Sequence, residues 1–164
     1  MLYDETALSN AVIFNHAFDI LYKQFEDGSK NLIQDFQNKK AKLDAALIVP
    51  VLTNGAFACE LYIKSLLPPN TRKHKLYELY NELSDELKEQ IQNLHVEFMK
   101  NSSSNYTTDD FYSDLQRHSN VFVTWRYFHE GDTTSAQIPF MCIFLKTLNA
   151  VCRVERVRKD NTCM

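Results

Sequence analysis

The sequence predicts an all-α fold, a single compact helical bundle of five to seven helices spanning residues 1–164, and three observations carry that reading. Glycine and proline are scarce, three and four in 164 residues, and a sheet with many tight turns needs far more of both. Apolar residues recur three and four apart along most of the chain, the spacing of one helix face. Hydrophobic residues make up 45% and charged ones 24%, enough for one buried core and too few charges for a disordered tail. No repeat or linker divides the chain.

The first helix is read from Ala11, Phe14, Phe18, Leu21 and Phe25, with Ser9 or Thr6 as its cap and Gly28 as its stop. A second begins near Ser29 and turns apolar at Ala45–Leu52, where Pro50 is expected to kink or split it near residue 49. The next runs to Leu67 and ends at Pro68-Pro69. After it, Ser84-Asp85-Glu86 separates a short helix from a longer one and caps the latter. Residues 101–110, NSSSNYTTDD, read as a polar surface loop. Phe111, Leu115, His118, Phe122, Trp125 and His129 then mark a helix ended by Gly131. A last helix from about Ser135 carries two apolar stripes, Ile138, Met141, Leu145, Leu148, Cys152 and Phe140, Phe144, Val151, so it is expected between two neighbours.

The formal net charge of −3 argues against duplex-DNA binding by bulk charge. The N-terminus has no basic region before an apolar one, and the longest uninterrupted apolar runs are eight residues, too short to span a membrane. The four cysteines form no CxxC pair, which predicts reduced thiols, a cytoplasmic setting and no metal site. Nucleotide-loop, zinc-hydrolase and nucleophile-elbow motifs are absent, and no cofactor is expected.

Chemistry concentrates in NVFVTWRYFHEGD, residues 120–132. On a helix, His129 lies about 60° to one side of Arg126 and Glu130 about 40° to the other, so the guanidinium can meet both. Arg126 is either locked in an ion pair with Glu130 or Glu60, or holds a phosphate while His129 moves a proton. The second constellation is CELYIKSLL, residues 59–67, followed by HKLYELYNEL, residues 74–83. Glu60 and Lys64 stand at i and i+4, a pair that is usually a solvated rung, although the apolar neighbours of Glu60 also allow it to point inward. His74 reads as a capping or core-edge imidazole. Minor candidates are Tyr106, Phe111 and Tyr112 as base-stacking rings, the basic C-terminal run RVERVRKD, and His16 and His95 as ordinary surface or core-edge histidines.

CELYIKSLL, HKLYELYNEL and WRYFHE, in that order over roughly residues 8–157, resemble the HEPN domains of bacteria and archaea. The resemblance implies a helical bundle, often a homodimer, in toxin–antitoxin and phage-defence systems. It also implies metal-independent cleavage of RNA by an arginine and a downstream histidine meeting across a dimer cleft. Carried onto this chain, these are Arg126 and His129, with Glu60, Lys64, His74, Tyr127 and Glu130 in support. Only Tyr127 and Phe128 separate the pair, fewer residues than the family pattern has. Other members of the family bind nucleotides or partner proteins without cleaving RNA, which keeps a non-catalytic binding module as the alternative.

Overall fold

The computed structural model describes residues 4–119 and 138–162. The described residues form an all-α bundle of helical segments without a strand. Arg126, Tyr127, His129 and Glu130 lie outside them, as do the expected helix end at Gly131 and the fourth cysteine, Cys163.

Helix α1, Glu5–Gln34, is longer than the sequence pattern suggests. Asp4, not Thr6 or Ser9, caps it by accepting the Ala7 N–H at 2.9 Å. Gly28 does not stop it, because the helix continues through that residue and uses the missing Cβ for packing. Helix α2, Lys39–Ala45, crosses there; a Cβ on Gly28 would strike the Asp44 Cβ and stand 2.9 Å from the Ala45 nitrogen. Gly28→Ala gains about 1 kcal/mol of helix propensity but meets backbone that cannot rotate away. A net loss of about 1–2 kcal/mol is expected in urea unfolding, and an unchanged midpoint would show that α2 shifts freely.

Helix α3, Ile48–Ser65, follows a break at Ala46–Leu47. The expected split therefore falls three residues before Pro50, which occupies the first turn of α3. There a missing N–H removes no intrahelical bond, so proline starts this helix instead of kinking it. Helix α3 is the central element, burying Val51, Leu52, Gly55, Ala56, Cys59, Tyr62 and Ile63 among others. The stretch Lys39–Ser65 contains a window of mean hydropathy 1.6, long and apolar enough to cross a membrane. Half of that window is buried inside the bundle, the ordinary condition of a core helix.

Helices α4, Leu76–Asn81, and α5, Asp85–Lys100, are separated as expected at Ser84, whose Oγ accepts from the Leu87 N–H. The polar loop is shorter than its composition suggests. Tyr106 is buried with its hydroxyl donating to Asp114 at 3.0 Å, and Thr107 with Asp110 forms a capping box for α6, Thr108–Arg117. The expected long helix through Phe111 and His118 thus ends at Arg117, where the His118 ring turns back to the Asp114 carbonyl at 2.7 Å.

Helix α7, Ile138–Thr162, packs against both α3 and α5 and buries both of its apolar stripes as expected. Where α5, α6 and α7 meet, His95 lies fully buried among Phe140, Phe111, Phe144 and Tyr106, with ring centroids 4.9 to 5.9 Å away. Neither of its ring nitrogens has a partner among the described residues, and burial holds its pKa down at about 3. It is a core residue and not the surface or core-edge histidine its polarity suggests.

Candidate functional site: a buried glutamate under an exposed histidine

The site grows out of the C-terminal half of α3. Leu61 aside, the residues from Ala58 to Ile63 are buried, and Glu60 is carried into the interior with them, its side chain only 2% exposed. One turn later Lys64 reaches back, its Nζ 2.8 Å from Glu60 Oε1. A buried carboxylate demands compensation of this kind, so the pair is not the solvated rung that i, i+4 spacing usually produces.

Beyond Ser65 the chain turns at Pro68-Pro69. Asn70 adopts φ 73°, a left-handed conformation that asparagine tolerates better than most residues, and Thr71 Oγ1 donates to the Pro68 carbonyl. This reversal returns residues 71–75, TRKHK, over the end of α3. His74 Nδ1 comes to 2.9 Å from Glu60 Oε1, the same oxygen that takes Lys64. The imidazole does not cap α4, whose N-cap is Lys75. It bridges the loop to α3 while remaining 59% exposed. Lys73 and Lys75 on either side are tied to Glu82 and Glu78 of the α4 region at 2.6 and 3.1 Å. These pairs hold the loop against α4 and so steady His74.

The second carboxylate oxygen, Glu60 Oε2, is buried and has no hydrogen-bond partner among the described residues. A buried carboxylate oxygen is normally met by a donor. The loop that carries His74 also meets the last described residue before the stretch bearing Arg126. The Leu76 and Tyr77 N–H groups donate to the carbonyl and hydroxyl of Ser119, at 3.1 and 3.2 Å, so residue 119 is pinned two positions from His74. On the other side of the stretch, Met141 Sδ lies 3.9 Å from the Cys59 thiol, next to Glu60 in sequence.

Glu60, Lys64 and His74 are thus brought together on one carboxylate oxygen. Tyr106 and Phe111 are buried, so neither offers a ring for base stacking; Tyr112 spends its hydroxyl on Gln92. The basic C-terminal run is exposed, with Arg158 paired to Glu155 and Glu86. Burial pushes up the thiol pKa values of Cys59, Cys142 and Cys152, to about 11 for Cys142 and about 12 for Cys152, which suits packing and not nucleophilic chemistry. No group of three metal-type side chains converges among the described residues.

Sequence reasoning missed His95 as a core residue, although a signal for it exists. It occupies the fourth-residue spacing of Leu87, Ile91, His95 and Met99, all buried on one face of α5. The chain matches no family model, no curated protein and no solved structure.

Proposed function

We propose that the chain is a HEPN-like, metal-independent endoribonuclease of a toxin or phage-defence system, cytoplasmic, without a cofactor, and working as a homodimer alongside an antitoxin or defence partner. The observation that supports this reading is the buried Glu60 carboxylate with its exposed His74, set where the chain enters the stretch bearing Arg126 and His129. In this reading Arg126 steadies the charge that develops on the scissile phosphate, and His129 moves a proton. Glu60, Lys64 and His74 form the polar floor beneath them, with Tyr127 and Glu130 in support. The apolar face of α1 at Val12, Ile13 and Ile20, about half or more exposed, is a surface that a second copy would cover.

The test is incubation of the purified protein with mixed single-stranded and structured RNA in excess chelator. Cleavage is expected to leave 2′,3′-cyclic phosphate ends, and Arg126→Ala and His129→Ala are each expected to lower the rate by about 10²-fold or more while folding normally. Cleavage that survives both substitutions, or none at all, would reject the reading.

The short separation of Arg126 and His129 favours a second one, a non-catalytic module that recognises a nucleotide or a partner protein. There Arg126 serves Glu60 or Glu130 as a structural partner, and Arg126→Ala is expected to cost about 3–5 kcal/mol by stranding a carboxylate. A melting curve matching the wild type would sink that account.

A further inference from the structure

We propose that His74, oriented by Glu60, is the general base that takes the proton from the ribose 2′-hydroxyl at this site. The proposal rests on the ribonuclease reading above and adds a residue to it.

Three observations converge on His74. Its Nδ1 lies 2.9 Å from Glu60 Oε1, so in the neutral ring the Nδ1–H donates to the carboxylate and the lone pair sits on Nε2. Holding one nitrogen by a buried acid is how an imidazole is fixed in the tautomer that accepts a proton. The side chain is 59% exposed, although its partner is almost wholly buried, so Nε2, across the ring from Nδ1, is open to a large substrate. A purely structural bridge would gain nothing from that exposure. Finally, Arg72 adds an exposed cation to the loop, and Lys73 and Lys75, although paired with Glu82 and Glu78, keep about half of their side chains exposed beside the imidazole. Such a loop attracts a phosphodiester backbone.

The step balances without a co-reactant. The 2′-hydroxyl proton passes to Nε2 as the 2′-oxygen attacks the neighbouring phosphorus. The P–O5′ bond breaks, its electron pair leaves with the 5′-oxygen, and that oxygen takes a proton from His129, which regains one from the medium. The products are a 2′,3′-cyclic phosphate and a 5′-hydroxyl, and His74 returns its proton to the medium.

The decisive variant is His74→Asn, whose amide keeps an N–H donor about where Nδ1 stands but offers no nitrogen that accepts a proton. It is assayed on RNA in chelator beside the wild type, His74→Ala and Arg126→Ala, with a melting curve for each. His74→Asn is expected to melt like the wild type and to cleave about 10²-fold more slowly. His74→Ala is expected to lose as much and to recover part of its rate when free imidazole is added. If His74→Asn cleaves at the wild-type rate while Arg126→Ala does not, His74 is only a clamp and the proposal falls with the ribonuclease reading intact. If the wild type does not cleave, or Arg126→Ala cleaves equally well, the ribonuclease reading falls and takes this proposal with it.

Discussion

Acidification from about pH 7 to about pH 4.5 is expected to remove about 2.5 kcal/mol of folding stability through His95 alone. Burial among four aromatic rings holds the folded-state pKa at about 3, against 6.5 for an unburdened histidine. Below about 6.5 the unfolded chain takes up a proton that the folded core refuses, so each further pH unit favours unfolding by about 1.4 kcal/mol. The His95 contribution is complete above the unfolded value and is lost as pH falls towards the folded one. Carboxylates titrate in the same range, and a His95→Leu variant removes the imidazole while leaving them in place. Urea unfolding of both proteins across this range is expected to give diverging stabilities, with the variant keeping about 2.5 kcal/mol that the wild type loses. At neutral pH the variant should be at least as stable, since it discards two buried nitrogens without partners among the described residues. Parallel acid profiles would mean that a donor or acceptor reaches the ring.

Gly55→Leu is expected to cost about 3 kcal/mol or more. Gly55 lies where α1, α3 and α7 come together. A Cβ there would stand 2.8 and 3.0 Å from two atoms of the Phe18 ring and 3.1 Å from Met141 Cγ. Phe18 is 2% exposed and Met141 1%, so both are packed, and the added side chain must displace them or push the helices apart. Alanine gains about 1 kcal/mol of helix propensity, which offsets part of its smaller clash. The three residues are therefore expected to rank Gly, Ala, Leu in decreasing stability. Thermal melting of both variants checks this order. A Gly55→Leu midpoint near the wild type would show that the three helices separate at little cost.

The helical class was legible because it depends on local quantities: few breakers, and apolar residues at three-and-four spacing that must bury one face. The same local chemistry placed the break at Ser84 and the sandwiched last helix, whose two stripes α3 and α5 cover. Boundaries misread from the sequence share a cause. Gly28 and Pro50 carry meanings that depend on position. A glycine inside a helix reads as a stop until another helix is seen crossing it, and a proline reads as a kink until the helix is seen to start two residues earlier.

The candidate site divides along the same line. Glu60 and Lys64 at i and i+4, a histidine after Pro68-Pro69, and an arginine in an aromatic segment were all visible as residue types. Spacing along one helix fixes which side chains share a face, and so the Glu60–Lys64 pair was legible in the sequence, while the face expected to join Arg126 and His129 lies outside the described residues. The sequence did not establish that Glu60 is buried, or that the turn through Asn70 brings His74 back onto the same carboxylate oxygen. It could not show that Ser119 accepts from the Leu76 and Tyr77 N–H groups at the start of α4. Those contacts join residues 14 to 43 positions apart, as burial joins His95 of α5 to rings from α6, α7 and the loop before α6. Such contacts are set by how whole faces pack, where the free energy of covering many apolar side chains decides which few polar ones are carried inside.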